Sequence, residues 1–262
     1  MAPMPDVEVF AHETLGKDLY ALTFASPIDL RAGNYQPGQF LHIRVSQSFD
    51  FLLRRPLSLC YADVDQNRLT VVYRTQGAGT RRLTACKPGD VIDVLGPLGQ
   101  GFPIRAQDHR TLLIGGGVGV PPLLELAKQL RASGKTVQTV VGFQTAGQLM
   151  LVEELAAYGE VTVMTDDGSA GTRGLVTTAL TAELCSLADR YYACGPSPML
   201  KAVQQTMRVR NVPGYLSLEE RMGCGIGICV GCVHAVYRDG QLTNAKTCRE
   251  GPVFDEREVV FA

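Results

Sequence analysis

Five β-rich runs of apolar and polar residues occupy much of the first hundred positions. They predict strands at Val7–Glu13, Leu19–Ala25, Phe40–Val45, Leu57–Tyr61 and Leu69–Tyr73. Gly, Pro, Asn and Asp separate these runs, and the Pro-Gly pair between Tyr35 and Gln39 predicts a tight turn. Strands of this length and spacing are typical of an antiparallel barrel or sandwich.

The pattern changes after the segment Gly96–Gly99, where buried strands begin to alternate with helices. Apolar runs predict strands at Thr111–Ile114, Val137–Val141, Val161–Met164 and Tyr191–Ala193. Helical patterns lie between and after them, at Pro121–Leu130, Leu149–Tyr158, Leu175–Leu180 and Pro198–Arg208. This alternation predicts a parallel sheet with right-handed crossover connections.

A third pattern begins near Tyr215, where the chain becomes rich in glycine and cysteine. It is followed by a predicted hairpin, His234–Tyr237 and Gln241–Ala245. So short a module buries little apolar surface, and we expect a bound metal centre to stabilise it. We therefore predict three domains: an antiparallel β-barrel over residues 1–102, an α/β domain over 103–214 and a metal-binding module over 215–262.

Composition narrows the class of protein further. Lys and Arg total 25 and Asp and Glu total 26, a net charge of −1, which predicts no strong attraction to nucleic acid or anionic lipid. The N-terminal residues lack the basic and apolar regions of a signal peptide, and no run approaches the roughly 18 apolar residues of a spanning helix. We expect a soluble protein of the cytoplasm with no membrane span.

Four of the eight cysteines share the spacing C-x4-C-x2-C-x15-C. They are Cys224, Cys229, Cys232 and Cys248. The spacing is close to the plant-type arrangement of thiolates around a 2Fe-2S cluster, and the interleaved glycines let backbone N–H groups approach such an anion. Zinc with four thiolates is the alternative, although structural zinc sites more often use short paired knuckles. Cys60, Cys86 and Cys185 are predicted to be small core residues.

A flavin-type signal lies in the first domain. Arg54 and Arg55 precede Pro56, Leu57 and Ser58, and an arginine suits pyrophosphate because its guanidinium is a fork of donors. The Ser58 hydroxyl is placed to hydrogen-bond a flavin ring. About twenty residues later, the run from Gly77 to Thr80 leads into a predicted helix, which makes a phosphate site from free N–H groups. A proline-started edge strand with a solvated arginine is the alternative interpretation.

A nicotinamide-type signal lies in the second domain. The strand ending at Ile114 runs into a glycine turn and a helix that starts with proline, and the strand ending at Ala193 runs into Cys194, Gly195 and Pro196. Both turns follow buried strands, so we expect them at one edge of the sheet. The first turn lacks the full G-x-G-x-x-G pattern, and a plain tight turn is the alternative. Asp166 and Asp167 follow another strand and favour NAD over NADP by accepting from ribose hydroxyls, or they are simple turn formers.

These motifs, in this order, resemble those of the ferredoxin–NADP reductase superfamily over roughly residues 5–210. The segment S-L-E-E-R-M-G-C-G-I-G-I-C-V-G-C makes the whole chain resemble the electron-transfer subunits of type B dihydroorotate dehydrogenases. The superfamily commonly has a ring-stacking tyrosine where this chain has Leu57, so another group must cover that face of the flavin.

The resemblance and the motifs together predict three sets of site residues. The FAD set is Arg55, Pro56, Leu57, Ser58, Val72, Tyr73, Arg74, Gly79 and Thr80; the nicotinamide set is Gly116, Gly117, Gly119, Gly195 and Pro196; the cluster set is the four cysteines. Ser58 is expected to tune the flavin. Cys194 is expected beside the nicotinamide as a catalytic residue, with a packed, redox-silent thiol as the alternative.

The resemblance implies that an FMN-containing catalytic subunit oxidises dihydroorotate in pyrimidine biosynthesis. Electrons would pass through the 2Fe-2S cluster and FAD to NAD as co-substrate, in a heterotetramer with two copies of each subunit. Apolar surface at Ile226, Ile228 and Val230 is expected at the interface with that subunit, and core packing is the alternative. Three other functions stay open: a subunit of a sulfide dehydrogenase or transhydrogenase-type complex, a stand-alone NADH reductase, and a zinc-stapled redox-sensing module.

Overall fold

The computed structural model describes residues 6–46 and 50–261, and an antiparallel barrel forms its N-terminal part. The barrel strands are β1 (Asp6–Gly16), β2 (Leu19–Ala25), β3 (Phe40–Ile43), β4 (Arg55–Asp63), β5 (Arg68–Arg74) and β6 (Val91–Leu98). They close in the order β1-β2-β5-β4-β3-β6, and every neighbouring pair is antiparallel. A short helix, α1 (Ala78–Leu83), lies between β5 and β6. The predicted antiparallel barrel is confirmed.

Alternation of side chains along β3 and β4 fills the barrel and leaves the opposite face for other contacts. Leu41, Ile43 and Leu59 belong to the barrel core. Cys60, on the other face of β4, packs instead with residues of the central domain. The sixth strand, β6, was not predicted because its Gly96-Pro97 pair resembles a domain boundary. It pairs with β1 and β3 and closes the barrel.

A seven-stranded sheet forms the central part of the molecule. Its strands are β7 (Arg110–Gly116), β8 (Thr136–Phe143), β9 (Glu160–Thr165), β10 (Thr172–Arg173), β11 (Arg190–Cys194), β12 (Gly214–Ser217) and β15 (Val253–Asp255). The order is β10-β9-β8-β7-β11-β12-β15, and all neighbours are parallel except β15, which runs antiparallel to β12. From β7 the chain adds β8, β9 and β10 on one side of the sheet and then places β11 and β12 on the other side. The position between β7 and β11 is therefore the topological switch point of an open α/β fold.

Among the described residues, five helices accompany the sheet. They are α2 (Pro121–Ala132), α3 (Val152–Ala156), α4 (Val176–Ala179), α5 (Ala182–Ser186) and α6 (Ser197–Val209). The predictions for α2 and α6 are confirmed within one or two residues, because both have a proline in the first turn and a long apolar stripe. The predicted helix Leu149–Tyr158 is shorter in the structure, and α5 was not predicted.

The cysteine-rich segment is inserted between two strands of the central sheet. We call residues 218–252, between β12 and β15, the cysteine module. It contains the predicted hairpin, formed by β13 (Val233–Arg238) and β14 (Gln241–Lys246). Since β12 and β15 pair in the central sheet, the C-terminal residues share one core with the α/β domain. The predicted domain limits at 102 and 214 stay a prediction.

Helix α2 connects the sheet to the barrel through a buried glutamate. Both carboxylate oxygens of Glu125 accept hydrogen bonds from the barrel: Oε2 from the amide of Ala62 at 3.0 Å, and Oε1 from the hydroxyl of Tyr35 at 3.2 Å. Lys128 lies 3.3 Å from the same carboxylate and donates to the Ala62 carbonyl at 2.5 Å. This group of contacts sets how the barrel sits on the sheet.

Candidate redox site

The four cysteines of the C-x4-C-x2-C-x15-C run form two pairs. The amide of Cys229 donates to Cys224 Sγ at 3.4 Å, and the amide of Cys224 points to Cys229 Sγ at 3.5 Å. The amide of Cys248 donates to Cys232 Sγ at 3.4 Å. Among residues 6–46 and 50–261, no three metal-ligating side chains meet around one point. Two thiolates for each of two metal ions is the donor set that a 2Fe-2S cluster takes.

Backbone N–H groups add to the donor set around these sulfurs. Gly227 donates to Cys248 Sγ at 3.1 Å and Ile228 donates to Cys224 Sγ at 3.3 Å. Gly225 and Gly227 have φ values of 71° and 85°, which glycine adopts without the strain of a Cβ atom. A loop of donors aimed at sulfur fits an anionic cluster with thiolate ligands. The residues present therefore fit the group that their spacing predicts.

The thiols of the module differ in how readily they ionise. Burial acts to raise the pKa of Cys224, but hydrogen bonds from the backbone of Cys229, Ile226 and Ile228 outweigh it and lower the pKa to about 6. Burial and the neighbouring Cys232 raise the pKa of Cys248 to about 12. Since ligation needs the thiolate, a bound metal would have to supply the charge that ionises Cys248.

The cysteine module rests on the outer face of β3 in the barrel. Phe40 forms a small apolar cluster with Cys232 and Cys248. His42, two residues along the same face, lies against Gly225, where an added Cβ would be 2.5 Å from the ring nitrogen Nδ1. Neither residue was predicted as part of a site, because a histidine within the run F-L-H-I resembles a core residue.

The residues predicted to hold a flavin lie on β4, the strand next to β3. Ser58 pairs with Phe40 and Pro56 pairs with His42 in the antiparallel register. The Arg55 guanidinium lies directly over the backbone of Gly79 and 5.8 Å from the ring centre of Phe51. The structure thus brings together two elements that the sequence places about twenty residues apart. Arg54 has a structural role, since it forms an ion pair of 2.5 Å with Asp93.

The second part of the predicted flavin set lies on β5 and α1. The side chains of Val72 and Tyr73 are buried, and the Tyr73 hydroxyl is 2.9 Å from His12 Nε2, so these two residues offer backbone rather than side chains. Arg74 Nε is buried without a hydrogen-bond partner among the described residues. Thr80 Oγ1 accepts from the amide of Gly77 at 3.2 Å and shapes the turn before α1. An orphaned guanidinium nitrogen fits an anionic ligand.

The two glycine turns predicted to hold the nicotinamide nucleotide meet at the switch point of the sheet. Cys194 at the end of β11 is in register with Gly115 of β7. The Gly119 backbone packs against the Cys194 carbonyl so closely that a Cβ there would overlap it. Gly117 has a φ of 52°. The prediction that both turns lie at one edge is confirmed.

One residue at this edge was not predicted. The thioether of Met199, in the first turn of α6, covers the backbone of both Gly116 and Gly195. A methionine two residues inside a helix carries no sequence signal for such a contact. It narrows the space above the two turns, next to Pro196.

Two further polar residues of the predicted nicotinamide site have structural partners. Burial raises the pKa of Cys194 to about 12, and a hydrogen bond with Ser217 only partly opposes it, so the group is a thiol at neutral pH. Asp167 accepts from both the amide and the hydroxyl of Ser169, at 2.9 and 2.6 Å, which is the geometry of a turn former.

Family models match three consecutive parts of the chain. An oxidoreductase FAD-binding domain covers residues 6–102, an oxidoreductase NAD-binding domain covers 113–205, and the iron–sulfur cluster binding domain of dihydroorotate dehydrogenase B covers 219–260. The chain therefore has binding domains for FAD, NAD and an iron–sulfur cluster, as predicted. No helix among the described residues is long and apolar enough to cross a membrane.

Similar proteins cover almost the whole chain. The dihydroorotate dehydrogenase B (NAD(+)) electron transfer subunit of Geobacillus kaustophilus (strain HTA426) is 54% identical over 86% of this chain and 87% of its own. The subunit of that name from Geobacillus sp. (strain WCH70) is 46% identical over 100% of both chains. A solved chain of an NADH-dependent reduced ferredoxin–NADP oxidoreductase has 30% identity and a TM-score of 0.84, over 99% of this chain and 91% of that one.

A barrel followed by a switch-point sheet and a cysteine module defines a ferredoxin-reductase-like flavoprotein with an iron–sulfur domain. Within that class, the chain belongs to the family of dihydroorotate dehydrogenase B electron transfer subunits.

Proposed function

We propose that this chain is the electron-transfer subunit of an NAD-linked dihydroorotate dehydrogenase in pyrimidine biosynthesis, and that it connects an FMN-containing catalytic subunit to NAD+. The observation that carries the proposal is the position of the cysteine module: Phe40 touches Cys232 and Cys248 and pairs with Ser58 on the flavin strand. When bound, the cluster supplies one-electron steps and FAD converts them into the two-electron hydride that NAD+ accepts.

The chain's own residues hold and orient these groups. The four cysteines provide thiolates, and the amides of Gly227 and Ile228 donate to their sulfurs. Arg55 and Arg74 neutralise the flavin phosphates, with the backbone of Gly79 and Thr80 beneath them. Pro56 and Ser58 line the ring from the outer face of β4, whereas the Leu57 side chain packs against the barrel core and leaves its backbone to the flavin. Val72 and Tyr73 contribute backbone groups.

The nicotinamide nucleotide binds above the two glycine turns at the switch point. The nucleotide comes close to the backbone at four glycines, which are Gly116, Gly117, Gly119 and Gly195. Pro196 precedes the helix beside it. Cys194 acts there as a packed thiol that excludes water, since its raised pKa leaves no thiolate at neutral pH. A preference for NAD over NADP rests on the carboxylates after β9, chiefly that of Asp166, because Asp167 already accepts two hydrogen bonds from Ser169.

The catalytic subunit docks beside the cluster loop. Ile226, Ile228 and Val230 expose 41%, 77% and 55% of their surfaces, which supports a docking surface rather than core packing. We propose a heterotetramer with two copies of each subunit. A cytoplasmic location fits the eight cysteines, all described and all free of disulfides.

The test is reconstitution. The chain is co-purified with an FMN-containing dihydroorotate dehydrogenase subunit from the same host, and NADH formation from dihydroorotate and NAD+ is followed at 340 nm. We expect NADH formation only with both chains, and a mass by light scattering equal to two of each. If neither the mixture nor the co-expressed complex forms NADH from dihydroorotate, the proposed function is rejected.

A second candidate is a transhydrogenase-type subunit. It is favoured by the 30% identity to the NADH-dependent reduced ferredoxin–NADP oxidoreductase chain over nearly the full length. The two candidates differ in the partner that is captured. A partner that reduces NADP+ with ferredoxin, and not one that oxidises dihydroorotate, would favour this second function.

A further inference from the structure

His42 lies between the barrel and the cysteine module and is fully buried. Its strand neighbours Leu41 and Ile43 face the barrel core, so its ring faces outward with Phe40 toward the module. The rings of Phe40 and His42 form an edge contact with centres 6.4 Å apart. The histidine therefore sits on the one barrel strand, among those described, that touches both the flavin strand and the cysteines.

No hydrogen bond of good geometry reaches either ring nitrogen of His42 among the described residues, although the backbones of Arg54 and Cys224 lie close enough to favour a proton on the ring. An imidazole ring always offers a donor: the neutral ring has one N–H and the doubly protonated ring has two. Buried polar groups in folded proteins are almost always hydrogen-bonded, and an orphaned pair of nitrogens calls for a partner.

The cluster loop is the surface that faces this ring. Gly225, the residue after Cys224, packs so close to Nδ1 that a side chain there would be 2.5 Å from it. The loop contains sulfur acceptors that already receive amide donors from Gly227 and Ile228. Thiolates and sulfides accept hydrogen bonds, and such bonds set the reduction potential of an iron–sulfur cluster.

We propose that His42 donates a hydrogen bond from the flavin barrel to a sulfur of the cluster beside Cys224, and thereby raises the cluster's reduction potential. A donor at sulfur stabilises the more negative reduced form, so its removal lowers the potential. The barrel strand that pairs with the flavin strand thus also tunes the centre that exchanges electrons with the flavin. This inference rests on the proposed cluster.

The first test uses the unaltered chain. The FAD- and cluster-containing protein is made with ¹⁵N-histidine and reduced with dithionite, and pulsed EPR is recorded on the cluster signal. We expect a ¹⁵N coupling that disappears in His42→Gln and persists in His109→Gln, because His109 is an exposed residue of the central domain. No histidine coupling in the wild type, or one that survives in His42→Gln, overturns the proposal.

The second test measures the midpoint potential of the cluster by EPR redox titration. His42→Phe keeps an aromatic ring but loses the donor. We expect the equilibrium constant for one-electron reduction of the cluster to fall at least tenfold, which makes the midpoint potential about 59 mV more negative. His42→Gln restores a donor and is expected to recover part of the shift. Equal potentials in all three proteins, with full iron content, overturn the proposal. Absence of iron in the wild type rejects the cluster itself, which separates the two failures.

Discussion

The thiol groups of Cys194 and Cys224 lie in opposite electrostatic surroundings. Cys194 ends a buried strand, where removal from water disfavours the anion and only Ser217 offsets it. Cys224 lies in a loop whose amides point at sulfur, and these donors stabilise the anion more than burial disfavours it. Backbone donors therefore favour the thiolate at Cys224, the form that a metal ligand requires, whereas burial keeps Cys194 a thiol.

Selective alkylation tests this difference in the metal-free protein. With a pKa of about 6, Cys224 loses its proton as the pH rises through 6, and roughly ten thiolates face each thiol at pH 7. Cys194, with a pKa of about 12, stays protonated. We expect iodoacetamide at pH 7 to modify Cys224 at least about 100-fold faster, as peptide mapping measures. Equal rates in the folded protein would contradict these surroundings.

Arg55 is the residue on which flavin retention is predicted to depend. In the proposed flavin site, Arg55→Ala removes charge-assisted hydrogen bonds to a phosphate, and each such bond contributes about 1.5–3 kcal/mol. We therefore expect FAD affinity to fall by about 10- to 150-fold, as fluorescence titration of the released flavin measures.

Arg31→Ala is the matched control for this substitution. Arg31 is an exposed barrel residue whose guanidinium bonds the Asp65 carbonyl at 3.2 Å, remote in sequence from the Arg55–Gly79 contact. We expect it to keep normal FAD affinity. If both variants lose flavin equally, the effect is general to the barrel and Arg55 has no specific role.

A sequence predicts individual site residues where the spacing itself indicates a chemistry. Four cysteines at x4, x2 and x15 indicate a metal centre, and an arginine before Pro-Leu-Ser indicates an anionic ligand. His42, Phe40 and Met199 could not be predicted, because each resembles an ordinary core or helix residue. Their roles arise from contacts between segments far apart in the chain, which no local pattern describes.

Helices and strands could also be predicted only where the signal is local in the sequence. Helices α2 and α6 were predicted well, since a proline start and a period of 3.6 are local signals. Strands β6, β10, β12 and β15 were missed as sheet members: β6 contains Gly-Pro, and the other three are short strands of two to four residues. Such strands are defined by the neighbours they pair with rather than by their own pattern.

The contact between α2 and β4 depends on Glu125. Glu125→Ala leaves the buried amide of Ala62 and the hydroxyl of Tyr35 without their acceptor. The unsatisfied buried amide of Ala62 costs about 1–3 kcal/mol and the half-buried Tyr35 hydroxyl less, so we expect the free energy of unfolding to fall by at least about 1–3 kcal/mol, measured by urea denaturation. The exposed glutamate variant Glu153→Ala should lose far less. A similar small loss in both would show that Glu125 does not join the two domains.

At the scale of the whole molecule, the three parts are arranged around β3 and β4. Strand β4 packs against α2, the helix that follows the first glycine turn, and its neighbour β3 carries the cysteine module. Because β15 returns from the module into the central sheet, the module is fixed at both ends to a rigid core. Such an arrangement ties the cysteine module to the central sheet while leaving the loop around Ile228 at the surface.

The exposed loop around Ile228 is the surface on which we expect the partner subunit to dock. Ile228 exposes 77% of its surface, while its backbone amide, not its side chain, donates to Cys224 Sγ. Ile228→Asp should therefore keep the cluster and FAD but weaken subunit binding by about 2 kcal/mol or more, roughly 30-fold in Kd. Isothermal titration and dihydroorotate-dependent NADH formation measure the loss, while NADH oxidation by ferricyanide stays normal. Val209→Asp, at a 79% exposed position on α6, is the control. Unchanged affinity in Ile228→Asp would place the partner on another face of the molecule.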